Sequence, residues 1–228
     1  MSNSTNVLSN LIVAESKAWQ LLAVAEERNF FTPNQTEKDL SERLYDLAFE
    51  LFGIKRYWHK RIVRSGKNTL LPYAVNPPNL TLQTDDILFV DFGPVFEKWE
   101  ADIGKTYVIG NDARKHKLAK DVELVWDEGR NYYLANKEKL TGADFYHYTK
   151  QLAKTYGWDF GNIHAGHLIG KFPHEKIAGE KTVNYIHPDN NLLMGTPYPD
   201  NTERYWIYEV HLIDEANEIG AFYEKVLC

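Results

Sequence analysis

Five side chains that can hold a hard cation occur in the order Asp91, Asp102, His167, Glu209 and Glu224. Asp91 ends the apolar run Ile87-Leu88-Phe89-Val90, which reads as a buried strand, and Gly93-Pro94 marks a turn before Asp102 arrives on the next strand. A hairpin of that kind brings two carboxylates together. Buried side by side they repel and drive one pKa upward, and a divalent cation removes that penalty. His167 lies in HAGHLIGKFPHE, where Gly166 and Gly170 let backbone approach a ligand; a second histidine, His174, follows with Glu175 behind it. Glu209 in WIYEVHL and Glu224 in GAFYEKVL each interrupt an aromatic, strand-forming run, where an inward-facing acid needs a partner. Singly, each residue has an ordinary structural explanation, such as a turn cap, a solvated strand face or a satisfied core histidine. Together they form a set of candidate metal ligands carried on separate strands. Four carboxylates and one imidazole make an oxygen-rich site unlike a thiolate zinc site, which suits Mn²⁺ or Co²⁺, with Fe²⁺ or Zn²⁺ as further candidates.

The elements that must carry these side chains read as helices, then strands, twice over. Residues 7–29 have apolar positions at helical spacing (Leu8, Leu11, Ile12, Leu22, Val24) and predict an amphipathic helix. Thr36 offers an N-cap, with Asp39 where a capping box would have Glu, before Leu40, Leu44, Leu47, Ala48 and Leu51 line a second helix that Gly53 ends. Strands are expected to about Ile109. Helices follow from Asp112 to Ala135 and from Gly142 to Tyr156, closed by Gly157, and then strands again. The pattern predicts an α+β fold with an internal pseudo-repeat.

The ordered acids, the glycines around His167 and the stretch DDILFVDFGPVFEKWEADIGKTYVIG resemble the pita-bread metallohydrolases, the family of methionine aminopeptidase, aminopeptidase P, prolidase and creatinase. The wording is most similar to the prolidase and aminopeptidase P branch, with Lys105-Thr106 where that branch usually has Arg-Thr. TPNQTEKDLSERL resembles the start of the helix that opens the catalytic domain there. The resemblance implies two helix-plus-sheet halves around a dinuclear metal site. It implies two divalent ions held by Asp91, Asp102, His167, Glu209 and Glu224, and a metal-bridging hydroxide as nucleophile. It gives Glu209 a proton-shuttling role and His174 a hydrogen bond to the tetrahedral intermediate. The implied reaction is cleavage of Xaa-Pro bonds in short peptides. Phe92, Phe96, Trp99, Tyr205, Trp206, Tyr208 and Phe222 are candidates for an apolar wall against the pyrrolidine ring.

Relatives carry a histidine some seventeen or eighteen residues before the first aspartate, where this chain has Tyr73-Ala74. Tyr73 is therefore a substrate-binding candidate. So are His164, three residues before His167, and His211, which strand alternation puts on the same face as Glu209. His59, in the basic and aromatic patch RYWHKR, is a candidate to replace that missing histidine, although its setting reads more readily as a surface position. The departure at Tyr73 leaves a creatinase-like C–N hydrolase of a small amide or amidine as an alternative function, and a binding-only pseudoenzyme as a second.

With 228 residues, 43% of them hydrophobic and 14% aromatic, one domain spanning 1–228 and no additional N-terminal domain is expected. A formal charge of −6 without a dense Lys/Arg run argues against nucleic acid or an anionic membrane as partner. Cys228 is the sole cysteine, which excludes an intramolecular disulfide and suits a reducing compartment. Glu15 and Lys17 interrupt the one N-terminal segment apolar enough to consider as a signal or span. These features predict a cytoplasmic protein, and the resemblance adds a possible homodimer.

Overall fold

The computed structural model of the chain describes residues 4–173 and 182–228. Helix α1 spans Ser4–Glu27 and α2 spans Glu37–Phe52. At the start of α2 the Thr36 hydroxyl accepts the Asp39 amide at 3.1 Å while the Asp39 carboxylate accepts the Thr36 amide at 3.1 Å. Aspartate thus completes the capping box in place of glutamate, and Gly53, with φ 68°, ends the helix. The second pair, α3 (Ala113–Asn136) and α4 (Gly142–Thr155), begins on Asp112 and on a Thr141/Asp144 capping box. Helices α2, α3 and α4 therefore start where short polar side chains satisfy the free amides of the first turn. Among the described residues no helix is long and apolar enough to cross a membrane.

The strands are β1 (Ile62–Ser65), β2 (Asp86–Phe92), β3 (Val95–Phe96), β4 (Trp99–Glu100), β5 (Ile103–Ile109), β6 (Asp159–Phe160), β7 (Gly166–Ile169), β8 (Tyr205–Asp214) and β9 (Ile219–Val226). The main sheet runs β1-β2-β5-β9-β8-β6, with β7 also pairing β8, and every pairing is antiparallel. β3 and β4 form a small separate hairpin between β2 and β5. That hairpin takes up the turn after Gly93-Pro94, so Asp102 lies immediately before β5, not on it as the sequence suggested.

Strand alternation divides the sheet between two environments. On one face, Leu88, Val90, Phe92 and Ile103 pack under α1 and α2, and Trp206, Tyr208, Val210 and Leu212 pack under α3 and α4. The opposite face lines a cleft. Phe92, Phe96, Trp206 and Tyr208 are accordingly core residues, while Trp99 and Tyr205 pack around Leu11 and Ile169. Of the seven aromatics expected to wall the substrate, Phe222 alone lines the cleft among the described residues.

The strand latest in chain order, β9, lies in the interior of the sheet and joins β1-β2-β5 to β8. The β5–β9 ladder is one pair, Gly104 opposite Glu224. Beside it the Thr106 hydroxyl accepts the Phe222 amide at 2.7 Å and donates to the Phe222 carbonyl at 2.9 Å, substituting for ladder bonds. Glu15 of α1 reaches the same strand and accepts the Val226 amide at 2.5 Å.

Candidate metal centre

Three of the candidate residues meet because of sheet register. Across β1, β2, β5, β9 and β8, Ile62, Asp91, Gly104, Glu224 and Glu209 stand opposite one another in a single row. Directly opposed residues share a face, so three acids project into the cleft from one row. Gly104 leaves the space between them, because a Cβ there would lie 2.5 Å from the Phe222 ring and 3.0 Å from Glu224 Cβ. Asp102 enters from just ahead of β5. His167 comes from β7, opposite Ile207. The preceding residue must be glycine, since Gly166 has φ 139° and a Cβ would stand 2.0 Å from the Ile207 carbonyl oxygen.

Asp102 is central to the resulting cluster. One carboxylate oxygen is 2.9 Å from His59 Nε2 and the other 3.2 Å from His167 Nε2. His59 Nε2 is also 3.5 Å from Asp91 Oδ1, and His167 Nε2 is 3.8 Å from Glu224 Oε1. Asp102 and Glu224 are 1% and 2% exposed, and Asp91 and Glu209 are buried as well. Burial, with Asp102 beside it, pushes the Asp91 carboxyl up despite the opposing pull of His59. Burial and the surrounding acids also push Glu224 well above the ordinary carboxylate range. Asp102 goes the other way, because the charges and hydrogen bonds of His59 and His167 outweigh its burial. Both imidazoles are raised to about 9: burial opposes this, and Asp102 overcomes it.

The cluster thus favours positive charge at this spot, and the donor atoms leave room for more than protons. Among the described residues Glu209 Oε1 and Glu224 Oε2 are fully buried and accept no hydrogen bond, although His164 Nδ1 lies 2.9 Å from Glu209 Oε1 without hydrogen-bond alignment. Orphaned buried carboxylate oxygens are costly unless a cation completes their coordination. Asp102 belongs to two sets of potential ligands, His59/Asp91/Asp102 and Asp102/His167/Glu224, each with donor atoms within 4.8 Å of one another. Oxygen-rich sets sharing a carboxylate fit a pair of hard or borderline divalent ions.

The cleft around them has a volume of about 660 Å³. His164 lines it with its ring 5.1 Å from that of Tyr185, and Tyr73 lines it at the rim, half exposed, with its hydroxyl accepting the Lys60 amide at 3.3 Å. His211 lies deeper, between the rings of Phe89 and Phe222. Its Nε2 is 2.7 Å from the Thr69 carbonyl oxygen, and burial lowers its pKa, so the neutral ring donates that hydrogen bond. His174 and Glu175 lie outside the described residues.

His59 corrects the expectation of a surface position, since its side chain is 7% exposed and touches two acids of the cluster. Asn162 was not foreseen either, and its amide donates to Glu209 Oε2 at 3.0 Å. Arg64, on the cleft face of β1, donates to the carbonyls of Leu71, Pro72 and Val75 and so holds the loop that carries Tyr73. Only the histidine within RYWHKR offered a signal in the sequence, because chemistry at Asn162 and Arg64 depends on loop paths that periodicity does not describe.

Comparison with known proteins agrees with this architecture. A profile described as metallopeptidase family M24 matches residues 14–197. A protein of Mycoplasma pneumoniae carrying the provisional name Xaa-Pro aminopeptidase is 25% identical over 171 residues, 75% of this chain and 48% of that protein. The Xaa-Pro dipeptidase of Pyrococcus furiosus is 23% identical over 156 residues, 68% of this chain and 43% of the relative. Among solved structures, a dipeptidase from Pyrococcus horikoshii superposes with a TM-score of 0.71 at 20% identity, covering 93% of this chain and 54% of that one. The likeness establishes the pita-bread fold. The chain spans about half the length of the relatives it matches.

Proposed function

The chain belongs to metallopeptidase family M24, and from that membership we propose that it is a dinuclear metallohydrolase cleaving Xaa-Pro bonds in short peptides. The observation that carries the reading is the pair of orphaned, buried carboxylate oxygens, Glu209 Oε1 and Glu224 Oε2, in a row of acids facing a cleft. Asp91, Asp102, His167, Glu209 and Glu224 would hold two divalent ions, and the oxygen-rich donor set favours Mn²⁺ or Co²⁺. When bound, such a pair supplies an activated water and polarises the scissile carbonyl.

The protein's own groups do the rest. Glu209 is the proton carrier: Asn162 holds one of its oxygens and leaves the other toward His164, so a proton taken there stays beside the reacting atoms. His174 donates to the developing oxyanion in the resemblance on which its role rests. The rim of Pro72, Tyr73, Ile163 and Tyr185, with Phe222 below, offers apolar surface for a pyrrolidine ring. A bond before proline lacks an N–H, so recognition of the ring rather than of an amide donor suits such a wall. We take 1–228 as one catalytic domain acting in the cytoplasm.

Metal-reconstituted protein should hydrolyse Xaa-Pro dipeptides and tripeptides, and Asp102→Ala should lose bound metal and activity together, read by elemental analysis and product chromatography. An active, fully metallated Asp102→Ala protein would remove the site. Metallated protein that spares peptides yet turns over a small amide or amidine would replace the peptidase reading with C–N hydrolysis.

A further inference from the structure

On the reading of the acidic cleft as a divalent-metal centre, we propose that His59 is itself a metal ligand, so that each of the two donor sets sharing Asp102 contains one imidazole. The argument is geometric. His59 and His167 flank the Asp102 carboxylate, one on each oxygen, at 2.9 and 3.2 Å. Both present Nε2 to the acids, and both have Nδ1 tied to the carbonyl oxygen of the next residue, at 2.7 Å to Lys60 and 2.8 Å to Leu168. A ring nitrogen anchored to a backbone carbonyl fixes the tautomer, leaving the other nitrogen's lone pair for a metal, and this is the usual arrangement around a ligating histidine. In the metal-free protein a proton on Nε2 would offset the repulsion of the acids; a bound cation would displace that proton and take the lone pair.

The segment carrying His59 is built to hold it there. The Trp58 amide donates to the Gly93 carbonyl at 2.9 Å, Trp58 Nε1 donates to the Ala101 carbonyl at 3.0 Å, and the Val95 amide donates to the Arg56 carbonyl at 2.9 Å. Gly93 is the space into which the ring fits, since a Cβ there would lie 2.2 Å from His59 Cδ2. The same turn that follows Asp91 therefore receives the histidine that faces Asp91.

The test is proton NMR of the protein reconstituted with Co²⁺, in which the Nδ1–H of each Nε2-coordinated histidine gives a far-downfield signal that disappears in D₂O. The wild-type protein should show two such signals from His59 and His167. His59→Ala should lose one and His167→Ala the other, and His59→Ala should bind one of its two cobalt ions ~10–100-fold more weakly. A histidine that only positions Asp102 by hydrogen bonding would weaken the ion without having contributed a shifted signal. Two bound cobalt ions with a His167 signal and none lost in His59→Ala would overturn the proposal while leaving the metal centre intact. Failure of the wild-type protein to retain cobalt at all would overturn both. The wild-type signal count needs no variant, so misfolding of His59→Ala would not blunt the test, and His59→Gln provides a second substitution of similar size.

Discussion

Gly104 shows how one absent side chain governs the cleft. It stands between Asp91 and Glu224 in the row, and Phe222 and Glu224 occupy the volume that a methyl group would need. Gly104→Ala should push the Phe222 ring or the Glu224 carboxylate aside. It should cost about 1–3 kcal/mol of stability and also weaken metal binding, as read by chemical unfolding and by metal titration. Loss of stability without loss of metal affinity would mean that the ring yields and the acid does not. At this scale the acids were legible because a carboxylate that interrupts an apolar strand run is conspicuous. The aromatic wall was misjudged although alternation contained the answer: Tyr208 and Trp206 differ from Glu209 by odd numbers of positions, so an extended strand turns them to the helix face. His59 was legible as a candidate but not in its place, because its partners are 32 and 43 positions away and it reaches them from a loop.

At the scale of elements, capping residues made the helix boundaries readable, since Thr36 with Asp39 and Thr141 with Asp144 act within one turn of the chain. The seam between β5 and β9 depends instead on a contact between residues 116 apart. Thr106→Val keeps the shape and removes the hydroxyl that serves both the amide and the carbonyl of Phe222. It should therefore cost about 1–3 kcal/mol in a denaturant melt, and an unchanged midpoint would show that the ladder pair alone holds the seam. Glu15 joins α1 to β9 from the other face, and burial pushes its carboxyl up to about 7 from 4.5. Its folded-state pKa is raised, so the folded protein binds the extra proton between pH 4.5 and 7, and stability falls as pH rises through that window. Glu15→Gln, which can still accept the Val226 amide, should match the parent near pH 4 and exceed it by on the order of 3 kcal/mol at pH 8. A stability difference between the two proteins that is constant from pH 4 to 8 would contradict the buried-carboxylate account.

For the whole molecule, Asp91 lies on, and Asp102 immediately before, strands that pack under α1 and α2, while Glu209 lies on a strand that packs under α3 and α4. An ion held between them would cross-link the halves at their thinnest seam. Chelation should therefore lower the melting temperature and added Mn²⁺ or Co²⁺ restore it, with about 2.7 kcal/mol regained at a hundredfold excess over Kd. A melting curve indifferent to chelator and metal would show that the acids are accommodated without a cation. The position of β9 carries a consequence for biosynthesis. Its partner β5 leaves the ribosome more than a hundred residues earlier, and at ~5–20 residues per second the open edge of β5 waits seconds for the strand that covers it. During that interval Asp91 and Asp102 have been made, but Glu224 has not. An ion would therefore find the full set of acids only after the segment carrying Glu224 has been made and has paired with β5.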